Sequence, residues 1–108
     1  ANVEEPSPCA DELRTIIVPA LNRTLTGNDA DGFHATTGKF QVGTMCGPDI
    51  AALMREWETA LREPDAAKSV AQRRDILTRL HELVTSQPEL APEARALEPV
   101  FANAKKTN

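Results

Sequence analysis

A chain of 108 residues bounds the protein at one domain, long enough to bury a core without a metal or a second copy, but only a small one. Aromatic residues are scarce, with one Trp, three Phe and no Tyr, so Leu, Ile, Val and Ala must fill the interior. A net charge of −4 with dispersed Lys and Arg argues against a nucleic-acid surface, and no apolar run approaches the roughly 20 residues of a membrane-spanning helix.

Residues 1–6 carry no periodicity and read as a flexible N-terminal tail. Ala1 is a small residue of the kind signal peptidase leaves behind, which points to an exported chain. Ser7-Pro8 then starts a first helix, with Ser7 placed to cap it and Pro8 at its first position. Leu13, Ile16, Ile17, Ala20, Leu21 and Leu25 form its apolar stripe, and the helix is expected over 8–25. Pro19 interrupts it by removing an N–H and crowding the carbonyl of Thr15, so a kink is expected there.

Residues 26–47 hold all five glycines of the chain and no helical period, and read as a long irregular loop. Within it, Phe33 to Thr36 and Lys39 to Val42 alternate about Thr37-Gly38, a pattern that fits a short β-hairpin. The stretch from Gly27 to Gly32 has the look of half a calcium loop. Aligning Gly32 at the sixth position puts Gly27 and Gly38 where oxygen ligands are required, so it reads as a polar turn. A loop of this length on a stapled scaffold is where a small exported domain would present its contact residues, here Asn28, Asp29, Asp31, His34 and Lys39.

Residues 49–84 carry the strongest periodicity. Ile50, Leu53, Met54, Trp57, Ala60 and Leu61 share one helical face, and Val70, Ile76, Leu77, Leu80, Leu83 and Val84 share another. Gly47-Pro48 opens the first of these helices (48–63), Pro64 stops it, and Asp65 caps the next (66–86). The two should fold on each other as a helical hairpin, with Trp57 and Leu77 largely buried. Arg73 occupies an inward position between Val70, Leu77 and Leu80, where its stem is expected to cover the core while the guanidinium reaches water; a carboxylate such as Glu56 or Glu58 on the preceding helix, or the rim of a binding groove, is the alternative. A fourth helix, 89–103, places Ala94, Leu97 and Phe101 inward, with Pro99 limiting its regularity and 104–108 left as a tail.

The fold class that results is all-α: one four-helix domain over 7–103 with the irregular loop between helices one and two. Cys9 and Cys46 fit a disulfide in an exported protein, free thiols in a reducing compartment, or a metal site with His34 and His81 whose ligands lack the close spacing of a zinc motif. The disulfide is the reading adopted, with no metal and no cofactor. It would hold the starts of helices one and two within about 6 Å and make the connection between them a crossover. His34 and His81 lack the spacing of an acid–base or nucleophile arrangement and read as surface and boundary residues. Asn22-Arg23-Thr24 satisfies the N-glycosylation pattern, but inside a helix the pattern suggests no role.

No phosphate loop, metal spacing or activated nucleophile is present, so the sequence reads as a non-enzymatic, periplasmic or secreted binding protein whose partner is another protein. A cytosolic thiol-dependent redox protein using Cys9 or Cys46, and a helical subunit docking on a partner helix, are the alternatives.

Overall fold

The computed structural model describes residues 7–106. The expected tail over 1–6 lies outside them, as do 107–108. Five helices make up the fold, with no strand among the described residues. The first, α1 (residues 8–23), runs through segments Pro8–Glu12, Leu13–Ile17 and Val18–Arg23. Then follow α2 (Ala30–Val42), α3 (Pro48–Leu61), α4 (Ala66–Thr85), a single 3₁₀ turn (Pro88–Leu90) and α5 (Ala91–Lys106). Neighbours in sequence pack side by side and α5 returns to α1, closing a ring around one core.

The expected ends are formed by the expected residues. Ser7 accepts from the Ala10 N–H at 3.1 Å and Asp65 from Lys68 at 3.1 Å, each satisfying a donor that the first turn leaves open. Gly47 precedes α3 with φ +100°, a conformation costly for any residue with a Cβ, and Pro48 follows at the first helical position. The interruption expected at Pro19 takes the form of a π-helical turn over Leu13–Ile17, closed by the Val18 N–H on the Leu13 carbonyl. Widening the helix just before Pro19 accommodates the proline without ending the helix, and Leu13 and Ile17 stay fully buried. Pro99 likewise sits inside α5, which runs on through 104–106. The tail assigned from 104 is therefore too long, because Ala104 continues the buried row of Ala94, Leu97 and Val100.

The connection over 26–47 corrects the sequence reading. It is not an irregular loop, it contains no hairpin, and the fold has five helices rather than four. Ala30, Phe33, Thr37, Phe40 and Gln41 are buried on one face of α2, and their offsets of three, four, three and one are a helical stripe. Two of these five are polar and only two are large and apolar, which hid the period. The polar ones are satisfied locally: the Thr37 hydroxyl donates to the Phe33 carbonyl at 2.8 Å, and Gln41 Nε2 donates to Thr37 Oγ1 at 3.2 Å. The calcium-like stretch is the start of this helix. Asp29 accepts from the Gly32 N–H at 3.0 Å, and a Cβ on Gly32 would stand 2.2 Å from that carboxylate, so only glycine fits without displacing the cap.

The sulfurs of Cys9 and Cys46 stand 2.01 Å apart, at disulfide distance, with Cα atoms 4.7 Å apart. The starts of α1 and α3 therefore meet. Near their other ends Trp57 Nε1 donates to Thr24 Oγ1 at 2.8 Å, so the two helices run the same way. The crossover this requires is α2 itself, about 20 Å of helix at 1.5 Å per residue. Trp57 and Leu77 are both fully buried, as their spacing required.

Candidate interaction face

The expected contact residues between 27 and 45 lie on α2 and its cap rather than on an irregular loop, and most are engaged within the fold. Asp29 is the N-cap, and the Asn28 carbonyl accepts from the Ala30 N–H at 2.8 Å. Asp31 meets Arg62 at 3.0 Å, and Lys39 lies over the Phe40 ring, 5.1 Å from its centroid.

The densest polar grouping surrounds Glu58, which the spacing in α2 could not reveal because its partners come from two helices. His34 Nδ1 donates to Glu58 Oε1 at 2.6 Å and Gln41 Nε2 donates to the same oxygen at 2.9 Å. Arg62, one turn further along α3, stands 3.5 Å from the other oxygen. Burial pushes the Glu58 carboxyl up, but hydrogen bonds from Gln41 and His34, with the charges of His34 and Arg62, prevail and hold it below its ordinary value. Arg55 reaches across to the Gln41 carbonyl. The arrangement ties α2 to α3 along their length and brings one of the five candidate loop residues, His34, into contact with a carboxylate. Its only sequence trace is the four-residue spacing of Glu58 and Arg62.

At the end of this face the chain turns between α2 and α3. Val42 is 91% exposed and Met45 68%, and among the described residues these are the exposed large apolar side chains. The turn that carries them is fixed from both sides. Glu12 on α1 accepts from the Thr44 hydroxyl and from the Met45 N–H at 3.2 Å, while Cys46 is bonded to Cys9. No family model, curated protein or solved structure matches the chain.

A second surface feature is the groove between α3 and α4, with two adjoining recesses of about 420 and 450 Å³ that share Ala52, Glu56 and Arg79. Arg79 bridges it, donating to both Glu56 oxygens at 2.6 and 3.1 Å and to Asp75 at 3.0 Å. The Arg79 hydrogen bond, with the charges of Arg79 and Arg55, outweighs burial and lowers the Glu56 pKa. Its guanidinium is fully engaged in holding the groove's walls together.

Arg73 departs from its sequence reading. The Arg73 guanidinium does not reach water and finds no carboxylate among the described residues: the residue is 4% exposed. It donates to the Thr24 and Leu25 carbonyls at 2.9 Å each and to Ser69 Oγ at 2.9 Å. It thus closes the C-terminal end of α1, where open carbonyls and the negative end of the dipole offset its charge; burial lowers its pKa. His81, inside α4, is half-buried between core and surface, as its boundary reading had it, and packs edge-on against Phe101, centroids 5.3 Å apart. Neither cysteine is free to act as a thiol.

Proposed function

We propose that the chain is a non-enzymatic, exported protein, periplasmic or secreted, that works by binding another protein through the outer face of α2 and the turn that follows it. The single observation behind this reading is the pair Val42 and Met45, exposed three residues apart where the end of α2 meets a turn held by Glu12 and the disulfide. An exposed apolar pair on a fixed turn loses little conformational freedom on docking, and burying two such side chains is worth about 1.5–3 kcal/mol each. The disulfide supports the export half of the reading, since such bonds persist in oxidising compartments. His34, Asp31 and Lys39 border the same face and would set the polar rim. Asp29 has a different part: as N-cap of α2 its replacement by Ala should cost about 1 kcal/mol of stability.

The test pairs location with contact. Fractionation of the native cell should place the chain outside the cytosol with both thiols protected from alkylation. A photo-crosslinker at residue 43, exposed between the two with open space around it, should capture a partner that is lost when V42S/M45S is added, while the melting temperature stays within a degree or two. Capture that survives the double change would remove the turn from the contact surface.

A further inference from the structure

We propose that Asn22 is an acceptor for an N-linked glycan, attached before α1 closes onto the rest of the fold. This rests on the exported reading above. The motif is Asn22-Arg23-Thr24, an amide followed at two residues by a hydroxyl, with no proline between. The helix that hides the motif's purpose in the sequence displays its nucleophile in the structure. Asn22 is exposed on the last turn of α1. Its Oδ1 accepts from Asn103 Nδ2 on α5 at 3.2 Å, which leaves Nδ2, the atom that would carry the sugar, without a hydrogen-bond partner among the described residues. A glycan there costs no buried contact. It would stand at the seam of α1 and α5, at the end of α1 remote from Cys9, and so leave Val42 and Met45 uncovered.

The hydroxyl of the motif is spent otherwise. Thr24 is 7% exposed; its Oγ1 donates to the Ala20 carbonyl at 2.8 Å and accepts from Trp57 Nε1 at 2.8 Å. An enzyme that must read that hydroxyl cannot do so in the finished fold, so the transfer belongs to the unfolded or partly folded chain. The donor class is an oligosaccharide on a polyprenyl diphosphate. Asn22 Nδ2 attacks the anomeric carbon, the bond from that carbon to the diphosphate oxygen breaks, and the diphosphate leaves as Nδ2 gives up a proton. No oxidant or reductant enters.

The experiment secretes the full chain from a eukaryotic cell behind a secretion signal. It reads the intact mass with and without an amidase that removes N-glycans, and the thiol state by alkylation of the same sample. The expected result is a mass increment removed by the amidase, absent in N22Q, and kept in T24S, which preserves both the motif and the hydroxyl's two hydrogen bonds. Purified, folded and unglycosylated chain offered to the same membranes should remain unmodified. A secreted chain with Cys9 and Cys46 joined but Asn22 bare would overturn the proposal and leave the exported reading standing. Native chain found in the cytosol with both thiols reduced would instead remove the exported reading. Modification of the folded chain at the same rate as the nascent one would overturn the timing.

Discussion

Replacing Arg73 by Met tests how the end of α1 is closed. The side chain is 4% exposed and its two Nη1 hydrogen bonds, both 2.9 Å, satisfy the Thr24 and Leu25 carbonyls. Methionine keeps most of the volume but leaves those two acceptors without a donor, at about 1–3 kcal/mol each for a buried polar group. Ser69 is spared, because its hydroxyl still donates to the Ala60 carbonyl. Against the loss stands relief from burying a guanidinium that has no carboxylate, so the net expectation is about 2–4 kcal/mol of destabilisation. In a domain of this size that is roughly an 8–32 °C fall in melting temperature, taking about 4–8 °C per kcal/mol. R73K should fall between, since an ammonium keeps the charge but not the planar fork that serves two carbonyls and a hydroxyl at once. Urea unfolding followed by circular dichroism measures all three proteins. If R73M lies within about half a kcal/mol of the parent, the carbonyls are served some other way and the capping argument fails.

Three further outcomes follow from the same geometry. Reducing the Cys9–Cys46 bond, 37 residues apart in sequence, should cost about 4 kcal/mol on the chain-entropy estimate; a thermal melt indifferent to reductant would refute this. Glu56 and Glu58 both have folded pKa values below the ordinary 4.5, so each contributes stability present above that pH and lost as pH falls through the lower folded value. Urea midpoints should hold steady above about pH 5 and drop below 4.5, and E58Q should blunt the drop; an acid limb unchanged by E58Q would remove this carboxylate from the account. Leu77→Ala, at a fully buried position, should cost about 2–5 kcal/mol in the same unfolding assay, and a loss below half a kcal/mol would mean the site collapses freely.

The parts of the fold legible in the sequence are those where apolar period, cap and breaker agree. Between Pro48 and Val84 all three coincide, and the helices begin and end within two residues of expectation. The cysteine pair was legible too, because once joined it dictated that α1 and α3 start together. What stayed hidden depended on partners from elsewhere in the chain. Thr37 and Gln41 face inward on α2 although nothing local marks them as core, and Gln41 does so because Glu58 of the next helix accepts its amide. Arg73 was visible as a misfit, but the carbonyls it satisfies lie 48 and 49 residues away, and no spacing rule reaches that far. Val42 read in the sequence as a strand residue of the expected hairpin; only the fold leaves it and Met45 outside.

The two fastenings of α1 also set an order of assembly. Cys9 needs Cys46, Thr24 needs Trp57 and Arg73, and every one of these partners is made later than α1 itself. On a chain synthesised from its N-terminus, α1 must therefore wait, unfastened, until residues 46–73 have emerged. At about 5–20 residues per second that is a delay of a few seconds, long beside the microseconds in which a helix forms and melts. Amide exchange should carry the mark of this dependence: the last turn of α1 should be labelled readily in a nascent chain halted before residue 57 and be among the slowest to exchange once Arg73 is in place.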